Sequence, residues 1–179
     1  MDTRNELDDG DKSFYAMVGE LVVASTTLDD QMTSLLVYIF SGESNVCFAP
    51  ILATLDAARK IEIIKAHCKM NSFARIPKAL NIYTGKVEKV FKQRNIVCHT
   101  PPSREEGKWG YRPVALAKIL HPRNTYNSSW AKDSLDKISE AISLAHVALQ
   151  AGSDLIESYE KHRAEEVDYY KQLKSKRRR

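Results

Sequence analysis

The sequence predicts an all-α protein, a four-helix bundle with a long irregular connection before the last helix. Two observations carry that expectation. Apolar residues recur at three-and-four spacings over four long stretches, the period of one buried helix face. Between the third and fourth stretches the texture changes to Gly, Pro, Asn and Ser over SREEGKWGYRPVALAKILHPRNTYNSSW, residues 103–130. A chain of 179 residues, 43% hydrophobic and 28% charged, is long enough for one domain with its own core.

The first helix is expected from about Phe14 to Phe40, with Phe14, Met17, Val18, Leu21, Val22, Leu28, Met32, Leu35, Leu36 and Ile39 on one face. SGESN (41–45) reads as a loop, and Pro50 is tolerable in the first turn of the next helix. That second helix is expected to continue to about Cys68, with Ile51, Leu55, Ala58, Ile61 and Ile64 facing inward. A third opens near Ile76-Pro77 and runs through Leu80, Tyr83, Val87, Val90 and Phe91 to about His99, where Pro101-Pro102 stops it. Gly85 inside it costs about 1 kcal/mol relative to alanine, which a close helix crossing would explain. The excursion that follows holds at most short extended or helical pieces. The last helix starts around Ser134, with Leu135, Ile138, Ile142, Ala145, Leu149, Ile156 and Tyr159 on one face, and its final turns are too polar to be buried. The domain reading is a flexible acidic N-terminus over 1–11, a helical domain over 12–165 and a basic C-terminal tail over 166–179.

The charge is unevenly distributed. The net charge is +4, but KQLKSKRRR (171–179) holds six of the 27 basic residues and none of the 23 acidic ones. The remainder is therefore net −2, so affinity for a polyanion must come from the tail or from a local cluster. No apolar run approaches the roughly 18 residues of a membrane span, and MDTRNELDDGDK is unlike a secretory signal. An odd set of cysteines, Cys47, Cys68 and Cys98, predicts free thiols in a reducing cytoplasm, most simply as small buried hydrophobes.

One stretch departs from the bundle pattern. In FKQRNIVCHT (91–100), a wheel at about 100° per residue places Arg94 in the middle of the apolar stripe, between Val87 and Tyr83. Asn95 and His99, four apart, share the edge of that stripe. On the first helix Ser25 and Asp29 lie inside the apolar face, whereas Asp30 points away. A buried cation needs a partner, so an Arg94–Asp29 pair is expected. Such a pair serves either to fix the register of two helices or to build a site. His99 likewise reads either as a helix C-terminal cap or as a catalyst.

The string Arg94-Asn95-Ile96-Val97-Cys98-His99 resembles the motif of the HEPN superfamily, Arg followed after four to six residues by His, commonly with Asn next to the Arg. GELVVASTTLDDQMTSLL (19–36) resembles the first helix of such proteins, with Asp29 at the acidic position, and the resemblance covers roughly residues 14–160. It implies a metal-independent endoribonuclease without cofactor, acting on RNA as a homodimer whose motif helices face each other. It further implies a toxin or antiviral defence effector, with an antitoxin or other regulatory partner. In that picture His99 is general base or acid, Arg94 stabilises charge on the phosphorane, Asn95 orients phosphate or imidazole, and Asp29 holds Arg94. Two departures stand out. Pro101 occupies the place of the tyrosine that toxins controlled by adenylylation carry two residues after the His. The body of the chain is not basic, which leaves Arg104, Lys108, Arg112 and Arg123 of the excursion and the tail to assist RNA. The rival reading is a non-catalytic helical dimer of the same type that binds a protein or RNA.

Trp109 and Tyr111 beside Lys108 and Arg112 are either a base-stacking platform or anchors of a loop. His67-Cys68 and Cys98-His99 lack metal-ligand spacing, since adjacent helical residues point about 100° apart. His121, His146 and His162 are isolated, and no phosphate-cradling Gly loop or nucleophile elbow is present.

Overall fold

The computed structural model describes residues 9–40, 48–70, 76–100, 102–105, 108–111 and 130–176. Its described residues form five helices and one hairpin: α1 (Asp9–Phe40), α2 (Ala49–Ala53), α3 (Ala57–Met70), α4 (Ile76–His99), β1 (Pro102–Glu105), β2 (Lys108–Tyr111) and α5 (Trp130–Lys176). The all-α expectation holds in this coarse form. No described helix is long and apolar enough to cross a membrane.

The second predicted helix is two. Its apolar spacing runs unbroken from Ile51 to Ile64, but the backbone turns at residues 54–56. The Thr54 hydroxyl donates to the Ile51 carbonyl at 2.7 Å, a local bond that competes with helix continuation. Asp56 then restarts the chain as the N-cap of α3, its Oδ1 accepting the Arg59 amide at 2.8 Å. The break leaves Ile51 61% exposed and Ala58 exposed, so two of the five residues expected to face inward do not. The expected boundaries at 11/12 and 165/166 also have no counterpart in the backbone, because α1 and α5 run through them. The last helix starts four residues earlier than expected, at Trp130.

Two compact units make up the chain. One comprises Met1–Thr26 with Val87–His146, the other Thr27–Lys86 with Val147–Arg179. In the first, Phe14, Leu21 and Ala24 of α1, Val87, Val90 and Val97 of α4, Tyr111 of β2, and Ile138, Ala141, Ile142 and Ala145 of α5 are buried. These are largely the residues that the helical period placed inward. β1 and β2 pair antiparallel with Pro102 opposite Tyr111 and Glu105 opposite Lys108.

The second unit is built around Leu28, Met32, Leu35, Leu36, Leu52, Ile61, Ile64, Leu80, Tyr83 and Leu155. Polar bonds set the sense of its helices. Lys60 meets Asp29 and Gln31 meets Leu149, while further along His67 meets Tyr159 and Tyr38 meets Glu160. Within this unit α1, α3 and α5 therefore run in the same sense. Gly152 has a packing reason there, since a Cβ on it would fall 2.0 Å from the Gln31 Oε1. Gly85 has none among the described residues, because its added Cβ would meet nothing there within 4 Å. The close helix crossing expected at Gly85 is not made among them.

Candidate phosphate-handling site

The motif residues occupy the last two turns of α4, in the first unit. Arg94 is half-buried, as its place in the apolar stripe requires, but its guanidinium does not stay there. Nη1 donates to the Asn95 Oδ1 at 3.1 Å. Asn95 is exposed and lies about 100° round the helix, so this bond draws the long, flexible side chain out of the stripe toward the edge that carries His99. Arg94 has five N–H donors and no acceptor, which fixes the Asn95 amide with its oxygen toward the guanidinium. The Nδ2 donors consequently face away from it. Apart from the second lone pair of the Asn95 Oδ1, the pair presents donors, which suits an anion. Among the described residues, no carboxylate pairs with Arg94.

His99 is the last residue of α4 and is exposed, as is Cys98 before it. The Thr100 amide still donates to the Ile96 carbonyl at 3.0 Å, so the helical path is intact through the motif. Of the three cysteines, Cys68 is buried as expected, Cys98 is not, and Cys47 lies outside the described residues. Both described thiols are free.

The hairpin after the motif is fastened to the start of α1. Trp109 stacks on Phe14 at 5.3 Å between ring centres and 19° between planes, and Tyr111 packs on Phe14 at 5.5 Å. Asp11, almost fully buried, accepts the Trp109 indole N–H at 2.5 Å and pairs with Arg104 at 3.3 Å. The Arg104 guanidinium lies 5.9 Å from the centre of the Trp109 ring. Burial first, then the neighbouring Cys98 and Tyr15, pushes the Tyr111 phenol up to about 12. With Phe14 on Trp109 and Tyr111 buried, these aromatics serve as anchors of the hairpin rather than as a base-stacking platform. Sequence reasoning missed Asp11, assigned to a flexible terminus. The signal was there: a carboxylate three residues before Phe14, at the head of the apolar stripe.

Asp29 belongs to the other unit, and its expected pairing with Arg94 is corrected. Its Oδ2 accepts the Lys60 ammonium at 2.6 Å, and Lys60 is 1% exposed against 32% for the Asp29 side chain. The second Asp29 oxygen, Oδ1, is buried with no hydrogen-bond partner among the described residues. Nearby, the Tyr83 hydroxyl donates to the Gln31 Oε1 at 3.2 Å, while Gln31 Nε2 donates to the Leu149 carbonyl at 2.8 Å. Burial, and next the Asp29 charge, raises the Tyr83 pKa well above that of a free phenol. Ser25, the other inward polar residue of α1, is satisfied locally by the Val22 carbonyl at 2.8 Å.

Of the other basic residues expected to assist RNA, Arg104 is exposed on β1, Lys108 opens β2, and Arg112 and Arg123 lie outside the described residues. Among the described residues no three His, Cys, Asp or Glu side chains are grouped so as to hold a metal ion. No family model, curated protein or solved structure matches the chain.

Proposed function

We propose that the chain is a metal-independent endoribonuclease of HEPN type that cleaves RNA by attack of a ribose 2′-hydroxyl, working as a homodimer. The observation that carries this reading is the state of Arg94. Arg94, a half-buried residue, has its guanidinium turned outward onto a neutral amide and neutralised by no described carboxylate, on the same last two turns of α4 that carry the exposed His99. A cation kept in that condition is suited to an anionic ligand.

In the reaction, one imidazole removes the proton of the 2′-hydroxyl, O2′ attacks phosphorus, and the P–O5′ bond breaks. The leaving O5′ takes a proton from an imidazolium, leaving a 2′,3′-cyclic phosphate and a 5′-hydroxyl. DNA lacks the nucleophile and is not a substrate. Arg94 carries the extra charge on the phosphorane, Asn95 holds the guanidinium toward the edge of the helix, and His99 moves the proton. Arg94 and His99 start about 140° apart on α4, so a second copy of the chain supplying the other imidazole completes the site most simply. Asp29 has no part in this step. Its partner is Lys60, and its role is in the packing of the second unit.

The test is cleavage of total RNA and of tRNA in EDTA, comparing the wild type with His99→Ala after both are shown to be folded. Loss of a general acid–base costs about 10²- to 10⁴-fold in rate, and His99 is exposed, so the fold survives the change. Cyclic phosphate ends from the wild type alone are the expected result. If both proteins cut equally, His99 is not the catalyst. If neither cuts, a binding module of the same fold takes the place of the nuclease.

A further inference from the structure

Among the described residues, the end of α5 differs from the other helical segments. α1 reaches, among those residues, two residues past Tyr38 and α3 three past His67, the positions at which they meet Glu160 and Tyr159. α5 instead continues through residues 161–176, about 24 Å at 1.5 Å per residue. On a wheel with Glu160 at zero, the exposed residues Glu160, Ala164, Asp168, Lys161, Glu165, Tyr169 and His162 span an arc of about 200°. More than half the circumference there faces water, whereas a core-packed helix buries a broad apolar stripe.

The charge along this segment is also sorted. Residues 154–168 carry Asp154, Glu157, Glu160, Glu165, Glu166 and Asp168, after which no acid follows. Residues 171–179 carry six basic residues, against a net charge of −2 for all the rest of the chain. Lysines near a helix C-terminus are favoured by the helix dipole, but that effect is confined to the last turn and needs one or two charges, not six.

We propose that the α5 extension with residues 171–179 is a polyanion-binding arm that takes the sugar-phosphate backbone of RNA without reading its sequence. That the polyanion is RNA rests on the ribonuclease reading above. An anionic membrane is the less fitting partner, because an interfacial helix needs a broad apolar face and residues 171–179 offer one bulky apolar side chain, Leu173. The binding is electrostatic, through release of counterions from the RNA. With about 0.7 counterions released per contacted phosphate of a single strand, six contacts give a slope of about −4 for log affinity against log salt. Affinity then falls by about 300-fold between about 50 and 200 mM salt.

The experiment measures binding of the full chain to a fluorescent, fully 2′-O-methylated single-stranded RNA of about 20 nucleotides, which a 2′-hydroxyl mechanism cannot cut. The wild type is compared with a variant carrying Gln at all six basic positions, Lys171, Lys174, Lys176, Arg177, Arg178 and Arg179. Helical circular dichroism and thermal unfolding confirm that the variant is folded. The expected result is that the six-Gln variant binds at least about 30-fold more weakly than the wild type at about 50 mM salt and loses most of the salt slope. Equal affinity and slope for wild type and six-Gln variant would overturn the proposal, whether or not the wild type proves to be a nuclease. Conversely, a large loss of binding in the six-Gln variant supports the arm even if no RNA is ever cleaved. Preferential binding to vesicles containing phosphatidylserine, lost in the six-Gln variant while RNA binding is unchanged, would assign the arm to a membrane and overturn it too.

Discussion

The end of α4 and the second unit treat their polar side chains in opposite ways. In the second, polar groups that enter the helix packing bond to one another: Lys60 to Asp29, Tyr83 to Gln31, Gln31 to Leu149, and His67 to Tyr159. At the end of α4 the polar groups are turned outward, with Arg94 tied to its neighbour Asn95 and with His99 exposed. Groups bonded to each other across helices hold helices together. Groups collected at a helix end with their donors facing out are available to a ligand. The sharpest break of this contrast is the His99→Ala variant, expected to cost about 10²- to 10⁴-fold in RNA cleavage with little change in stability. A stability loss there, with no loss of cleavage, would place His99 with the structural residues and erase the distinction.

Lys60→Met tests the other half. It removes the cation and leaves the Asp29 carboxylate with its Oδ1 already buried and, among the described residues, unpartnered. Breaking a fully buried pair costs about 3–5 kcal/mol. Asp29 is 32% exposed and can turn partly to water, so a loss of about 2 kcal/mol is expected by chemical denaturation. Lys60→Met combined with Asp29→Leu should recover much of it, because an apolar pair leaves no orphaned charge. If Lys60→Met proved neutral, the pair would be incidental, and the second unit would be held by its apolar residues alone.

How far the sequence foretold each unit depends on which signal had to be read. Periodicity marks which side of a helix is buried, and for α1 and α4 it placed Phe14, Leu21, Leu28, Leu80, Tyr83, Val87 and Val90 correctly in the interior. It does not mark where the axis breaks. The spacing from Ile51 to Ile64 is helical throughout, and the interruption is written instead in Asp56, a capping residue read as one more helical position. Nor does a wheel say which helix faces which. It put Asp29 inside α1 and Arg94 inside α4, and the nearest opposite charge in sequence logic was the wrong one. Lys60, next to Ile61 on the edge of the α3 stripe, looks like a solvated lysine until the fold closes around its four-carbon stem. The motif at 94–99 was legible as an anomaly because polar residues stood where apolar ones were due. That Asn95 serves Arg94 was not legible, because adjacent residues on a helix point apart and only the length of the arginine bridges them.

The glycines of the second unit give a pair of smaller effects with opposite signs. In an open helix interior, Gly→Ala stabilises by about 1 kcal/mol. Gly85→Ala should show up to that gain, since the new methyl meets nothing within 4 Å among the described residues. Gly152→Ala puts its methyl against the Gln31 amide and must displace it, with loss of the bonds from Gln31 to Leu149 and from Tyr83 to Gln31. Two lost bonds, one leaving a buried phenol unpaired, outweigh the helix gain and give a net loss of about 1 kcal/mol. Thermal unfolding of the two variants decides it. Equal gains would mean that the Gln31 bridge contributes nothing to the cohesion of this unit.

The smallest effect is a dependence on pH that belongs to the second unit. Burial lowers the pKa of His67, whose Nε2 lies 3.3 Å from the Tyr159 hydroxyl. Burial, and then Cys68, pushes that phenol up to about 12, so Tyr159 stays neutral and, of the two, only the histidine takes up a proton as pH falls. The folded chain therefore resists protonating His67, whereas the unfolded chain takes the proton at about 6.5. As pH falls below about 6.5 the unfolded state binds more protons, and stability declines until the pH passes the lowered folded pKa, below which this contribution is constant. Above about 6.5 both states are neutral at this residue and it adds no slope. The imidazole is only part-buried, which keeps the effect modest. Urea unfolding between about pH 7.5 and 5 should show the decline in the wild type and a shallower one in His67→Gln, whose amide keeps a partner for Tyr159 but does not titrate. An unchanged slope in His67→Gln would move the acid sensitivity to other groups and leave the Tyr159 contact as packing alone.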